Sequence, residues 1–293
     1  MKNFLIKLNK IAFDTDLYLK KFLLNKKKYK SNLITPMKYG FFSGGKRFRS
    51  SILINTGQIF GINRKKLIII GAAIECVHSY SLMHDDLPAM DDDDMRRGNE
   101  TLHKKYNEAI AILSGDALLT DSFVLLVERY KNIDINICIE LIKLLSKSAG
   151  SAGMVGGQIL DLFSNEKNNK SVELMNEMKT GALIRCATCF GAILGKGSEE
   201  DFNNMYNYGN SIGKVFQIKD DLLDLKGDEK VVGKKINKDK VKGKYSFIDL
   251  YGEEKSKKIA SSYVSQAKDI ISSYGQKSYY LNFLADYILD RKK

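Results

Sequence analysis

Three observations predict an all-α chain. Only two prolines, Pro36 and Pro88, interrupt 293 residues. Long spans carry none of the turn clusters that frequent hairpins demand. Apolar residues recur at helical spacing or run around a whole helix circumference. With 44% hydrophobic residues and no composition shift or low-complexity linker, residues 1–293 read as a single domain.

The first thirty-odd residues form an amphipathic helix that runs into the lysine-rich NKKKYKSN, and Pro36 restarts the chain. Gly44-Gly45-Lys46-Arg47-Phe48-Arg49 follows, after which SILINTGQIFG resumes helical character. The glycines let backbone approach a ligand. Lys46 and Arg49, three apart at a helix start, can point at one anion that the helix amides also face. A basic helix start on the surface is the plainer alternative. A Walker loop is excluded, because its spacing and its preceding strand are both missing.

The stretch LIIIGAAIECVHSYSLM, Leu67 to Met83, is apolar around most of its circumference and reads as a central helix. It delivers HDDLPAMDDDDMRRG, His84 to Gly98, to the rim of a cavity. Asp85 and Asp91 are six apart, which a straight helix would splay to different faces. Pro88 should break the helix into a loop through Leu87, Pro88 and Ala89 that lets both carboxylates reach the same metals. His78 lies two turns before Asp85. A lone histidine in such a helix reads more readily as a packed core residue than as a ligand.

Six aspartates in fifteen residues need a reason in a chain of net charge +12. Clustered carboxylates repel one another and settle either in solvent or around shared divalent cations. Arg96 and Arg97 beside them match phosphate oxygens, so acid followed by base is what a metal–diphosphate complex requires. A second cluster, DDLLD, holds Asp220, Asp221 and Asp224, with Asp220 and Asp224 on one helical face. A calcium loop does not fit, since neither the glycine at its sixth position nor the glutamate at its twelfth is present.

The positive charge comes chiefly from lysines dispersed along the chain without interleaved aromatics, which reads as solvated helix faces and not as a nucleic-acid surface. No stretch reaches the ~18 uninterrupted apolar residues of a membrane span. The amino terminus lacks a signal core, so a cytoplasmic location is expected. Cys186 and Cys189 form a C-x-x-C inside an apolar helical run, and packed, reduced thiols are expected there.

Taken together, Gly44-Gly45-Lys46-Arg47-x-Arg49, Asp85-Asp86 with Asp91 and Arg96-Arg97, Lys179-Thr180-Gly181, and Gln217 before Asp220-Asp221-x-x-Asp224 resemble the successive motifs of trans-prenyl diphosphate synthases. Among these the chain is most similar to bacterial farnesyl diphosphate synthases, which share the insertion seen here as Pro88-Ala89. The resemblance implies an isoprenoid-synthase-type helical bundle around a deep central cavity, forming a homodimer. It implies three Mg2+ ions, held with the allylic diphosphate by Asp85, Asp86, Asp91, Asp220, Asp221 and Asp224. Arg96, Lys179, Lys234 and Lys244 would hold that diphosphate, with Thr180 and Gln217 near the forming cation. Lys46, Arg49, His78 and Arg97 would take isopentenyl diphosphate.

The resemblance also places Tyr80 and Ser81 at the cavity floor, where an aromatic at Tyr80 matches a farnesyl product. Wheel arithmetic alone nominates Ser81, ~40° from Asp85 against ~140° for Tyr80. Asp116, Gly157, Gln158 and Asp161 are similar to supporting residues of the same family, and each reads equally as a packing residue. Ser50, Lys219 and Tyr245 depart from its pattern, and the lysine- and glycine-dense stretch from Gly227 to Gly243 reads either as a lid or as a plain disordered surface loop. Rival readings are a longer-chain synthase such as a geranylgeranyl synthase, a terpene cyclase, a non-catalytic subunit and a basic nucleic-acid-binding bundle.

Overall fold

The computed structural model describes residues 2–26, 32–127, 134–163, 168–226 and 246–291. The protein is all-α, and its chain groups into two compact units, residues 1–51 with 64–138 and residues 52–63 with 139–293.

In the first unit α1 (Lys2–Asn25), α2 (Ile34–Phe41), α4 (Arg64–Asp85), α5 (Leu102–Lys105) and α6 (Glu108–Val127) surround a core in which α4 is central. Pro36 sits in the first turn of α2, where its missing N–H has no intrahelical partner to lose. As its apolar circumference predicts, α4 buries residues on every side, the unbroken run from Gly71 to Val77 among them. It packs on α6, where Gly115 admits the His84 ring; a Cβ there would stand 2.2 Å from Nε2. By length and composition α4 and α6 could each cross a membrane, yet 67% of the apolar window of α4 is buried inside the protein, as in a core helix. Between α4 and α5 lies a hairpin of β1 (Met95–Arg96) and β2 (Asn99–Glu100), paired antiparallel with Arg96 opposite Asn99. Its two turn residues, Arg97 and Gly98, have φ of 53° and 79°, which suits a two-residue hairpin turn.

The helix α3 (Phe48–Ile59) begins in the first unit and continues into the second. The second unit contains α8 (Met154–Phe163), α9 (Asn169–Asn176), a π turn (Glu177–Gly181), α10 (Ala182–Leu194), α11 (Glu199–Lys226) and the later helices Phe247–Tyr251, Glu253–Ile270 and Tyr279–Asp290. The helix α7 (Ile135–Ala149) spans the division between the units. Almost every residue of α10 is buried, and it packs against α11. Ile218 and Leu222 of α11 share a cluster with Phe247 and Ala260. Tyr208, fully buried, donates its hydroxyl to the Leu281 carbonyl at 2.9 Å. All four cysteines are buried and unpaired, and burial raises the Cys189 thiol to about 12, as packed thiols should behave.

Candidate active site

The first acidic cluster is shaped by how α4 ends. The helix stops at Asp85, and the chain turns through Leu87, Pro88 and Ala89 so that the Asp91 N–H donates to the Asp85 carbonyl at 2.8 Å. The Asp92 N–H reaches the Leu87 carbonyl, and the Asp93 N–H that of Asp86. Residues six apart are thereby folded together, as the proline predicts. Asp85 and Asp91 remain half-exposed, whereas Asp86 is buried and receives both Nε (2.6 Å) and Nη2 (2.5 Å) of Arg96 on Oδ1. Burial pushes the Asp86 carboxyl up, against the opposing pull of Arg96.

The hairpin explains how two adjacent arginines serve different places. Arg96, on β1, turns to Asp86 and Asp93. Arg97, in the turn, donates through Nη1 to the Gly44 carbonyl and lies over Gly45, where a Cβ would come within 2.6 Å of Nη1. Gly44 and Gly45 have φ of +114° and +113°, values that side-chain-bearing residues rarely adopt. Arg47 is committed to structure. It is buried, pairs with Asp16 at 2.7 Å, and donates to the Phe41 and Gly44 carbonyls.

Ser50 has a local use, since its N–H donates to Glu75 Oε1 at 2.9 Å, a bond that proline could not make. Desolvation, with Arg47 and Arg96 and more weakly Arg49 pressing on it and Glu75 partly compensating, lowers Arg97 to about 10. Burial and then Arg49, Arg97, Arg47 and Arg96 hold His78 well below its ordinary 6.5. Guanidiniums gathered around a neutral imidazole concentrate positive potential at this end of α4.

A pH dependence follows from His78. Below pH 6.5 the unfolded chain takes up a proton that the folded protein refuses, so this contribution is intact above 6.5 and is lost as pH falls towards the depressed folded value. The melting temperature should drop between pH 6.5 and 5, and His78→Gln should flatten that segment of the curve. Inorganic pyrophosphate should flatten it as well, by neutralising the arginines. An unchanged slope in both cases would remove His78 from the cluster's electrostatics.

The second cluster lies on α11 and is more tightly organised. Asp221 accepts from Gln217 Nε2 at 2.8 Å and from the Phe247 N–H at 2.9 Å. Thr180 donates to Gln217 Oε1 at 2.9 Å, so Thr180, Gln217 and Asp221 form one chain of hydrogen bonds. Lys179 pairs with Asp161 at 2.5 Å. Gly157 lets the π turn come close, for a Cβ there would stand 2.2 Å from the Lys179 nitrogen. Asp220 is paired with Arg291, whose guanidinium also reaches the Phe216 carbonyl at 3.2 Å. Arg291 is a partner that sequence reasoning missed, since nothing in a terminal Arg-Lys-Lys marks it. Lys219 is half-buried on the same helix, lowered by desolvation and by Arg291.

Tyr80 is buried and meets His84 edge-on at 5.6 Å, while the Ser81 hydroxyl turns back to the His78 carbonyl. Desolvation and the carboxylates of Asp85 and Asp116 raise the Tyr80 phenol to about 12. Beyond the predicted ligands, Asp92, Asp94 and His103 each bring a possible ligand atom within 4.8 Å of the others, although Asp94 also pairs with Lys104. Lys234, Lys244, Tyr245 and the predicted lid lie outside the described residues.

The polyprenyl synthetase family model matches residues 30–278. The chain is 40% identical to farnesyl diphosphate synthase of Escherichia coli over 89% of its length and 90% of the relative's. It is 38% identical to geranylgeranyl diphosphate synthase of Cyanophora paradoxa, over 87% and 86%. Among solved structures, an apo FPP/GFPP synthase from Zymomonas mobilis superposes with a TM-score of 0.89 at 35% identity, covering 98% of this chain and 99% of that one. A Helicobacter pylori geranyltransferase complexed with magnesium and isoprenyl diphosphate superposes at 0.80 with 30% identity, over 97% and 96%. The chain belongs to the polyprenyl synthetase family. It is a prenyltransferase of the trans-prenyl diphosphate synthase class, with the all-α isoprenoid synthase fold.

Proposed function

We propose that this enzyme condenses isopentenyl diphosphate with dimethylallyl and then geranyl diphosphate to give (2E,6E)-farnesyl diphosphate, acting as a cytoplasmic homodimer. The observation that carries the farnesyl assignment is Tyr80, an aromatic ring buried on α4 five residues before Asp85. The sequence similarity to the Escherichia coli enzyme supports it.

The donors at both clusters are carboxylate oxygens, the hard ligands that magnesium takes, and Asp85, Asp91, Asp220 and Asp224 are partly open to solvent. In this reading Asp85, Asp86 and Asp91 with Asp220, Asp221 and Asp224 would hold three Mg2+ together with the allylic diphosphate. Bound magnesium supplies Lewis-acid stabilisation of the negative charge that develops on a departing diphosphate.

The remaining work belongs to the chain's own cations and shape. Arg96, Lys179, Lys234 and Lys244 hold the leaving diphosphate, while Lys46, Arg49, His78 and Arg97 orient isopentenyl diphosphate so that its double bond faces the allylic carbon. As the carbon–oxygen bond breaks, the Thr180 hydroxyl and the Gln217 amide lie near the positive charge. The double bond attacks, and the adduct loses a proton to the released diphosphate. No side-chain base is required. The reaction requires that water be kept away, since it would otherwise capture the cation as an alcohol.

Incubating the protein with Mg2+, dimethylallyl diphosphate and excess isopentenyl diphosphate, then sizing the product, tests the proposal. Farnesyl diphosphate is expected, a geranylgeranyl product would assign the longer-chain alternative, and no consumption of isopentenyl diphosphate would refute the condensation. Removing the ring by Tyr80→Ala should lengthen the product by one or more isoprene units. A variant that still stops at farnesyl diphosphate would acquit Tyr80.

A further inference from the structure

We infer that Arg185, a residue outside every recognised motif, sets the π turn that aims Lys179 and Thr180, and is therefore a positioning residue for the allylic half of the reaction. The inference rests on the assignment of those two residues to the allylic diphosphate and its cation.

A π turn is rare and is held only where its surroundings compensate for its wider loop, which is why such turns gather at functional sites. Here it occupies Glu177–Gly181, between α9 and α10. Restoring an α-helical register over the same residues would shift the side chains by up to one residue's rotation, ~100°, turning Lys179 and Thr180 from their partners. Something must oppose that relaxation.

Arg185 reaches back two turns and donates through Nη2 to the Glu177 carbonyl, the first of the π turn, at 3.0 Å. Its Nη1 is fixed by Asn210 Oδ1 at 3.0 Å, and its guanidinium lies over the Tyr206 ring at 5.5 Å, so the fork is anchored to α11. The Glu177 side chain is tied to α11 as well, through Lys214 at 3.1 Å. From other sides the turn is confined by Gly157 against the Lys179 backbone and by Gly213, where a Cβ would stand 3.0 Å from Gly181 Cα. What leaves this clamp is the side-chain chain Thr180–Gln217–Asp221 and the pair Lys179–Asp161. Beside Arg185 lies a small cleft bordered by Glu177, Asn210, Lys214 and Phe247, and cutting the guanidinium away would add its own volume to that space, room for a cation of the same size.

Arg185→Met keeps the aliphatic stem and removes the fork. It should lower kcat by about 10²-fold, the loss that accompanies an ångström-scale displacement of catalytic groups, with the KM for isopentenyl diphosphate unchanged. Millimolar guanidinium chloride, but not sodium chloride, should restore part of the rate, and Arg185→Lys should fall between the two. Independently of turnover, amide hydrogen exchange over residues 177–181 should quicken in Arg185→Met while the rest of α10 and α11 keeps its protection. Gly213→Ala, which presses on the Gly181 end of the same turn, should show the same split between kcat and KM. Wild-type exchange over 177–181 in Arg185→Met overturns the inference. A loss of rate spread equally over kcat and both KM values, without guanidinium rescue, does so too. If the unaltered protein fails to condense its substrates, the assigned function falls, and the exchange measurement still decides the role of Arg185.

Discussion

Asp85→Asn should lower kcat by about 10³-fold, the scale of losing a principal electrostatic contact to the developing charge, while costing the protein little stability. The second half of that expectation comes from the helix. Asp85 is the last residue of α4, at the negative end of its dipole, and Asp86 and Asp91 are folded against it. Carboxylates gathered there repel one another and the carbonyls behind them, which offsets the attraction of Asp85 to Arg96, so removing this one charge should cost the metal-free protein little. Asp220→Asn should cost as much activity but behave differently on heating. Asp220 accepts from Arg291, whose side chain is only 7% exposed, and losing the carboxylate leaves that guanidinium short of a partner. With Asp220 itself 45% exposed, a loss of about 1 kcal/mol is expected.

If both clusters act on one diphosphate, the double variant should be little worse than the poorer single one, since groups acting as a unit are not additive. Steady-state kinetics and thermal melts in the absence of magnesium measure all of these. Fully multiplicative losses would separate the two clusters, and a marked drop in melting temperature for Asp85→Asn would contradict the repulsion argument.

Gly45→Ala is expected to raise the KM for isopentenyl diphosphate by about 10- to 100-fold, with a much smaller change in the KM for the allylic substrate. Two effects combine. Alanine at a φ of +113° is strained by ~1–3 kcal/mol, and its methyl would occupy the place of Arg97 Nη1, 2.6 Å away. The guanidinium can move, so the protein should fold. The displaced Arg97 would lose its hold on the Gly44 carbonyl and, with it, charge-assisted bonds to an anion worth about 1.5–3 kcal/mol, one to two factors of ten. Unaltered KM values in a correctly folded Gly45→Ala would mean that Arg97 does not reach that substrate.

Much of this was legible from residue order. The full apolar circumference of Leu67 to Met83 announced a core helix, and α4 is one, because burial on all sides tolerates no polar stripe. Pro88 announced the break that folds Asp91 back onto Asp85, because a proline within a helix both removes a donor and clashes with the turn before it. The paired glycines suggested backbone approaching a ligand, whereas in the fold it is the Arg97 side chain that comes against them.

Other features left no trace. The hairpin that parts Arg96 from Arg97 is only two residues long on each side, too short for any alternation to register. The pairing of Asp220 with Arg291 joins residues 71 apart. The π turn carries no composition of its own, since it is maintained from outside by Arg185, Gly157 and Gly213.

The linear chain by itself determined which residues bear charge, where helices must stop and which face is apolar, for these depend on covalent chemistry and on neighbours a few positions away. Tertiary structure alone decided which carboxylate meets which guanidinium, which arginine is spent on the scaffold and which helix turn is widened. Those outcomes depend on distances of a few ångströms between segments far apart in sequence, where hydrogen bonding and desolvation, not local propensity, select the partner.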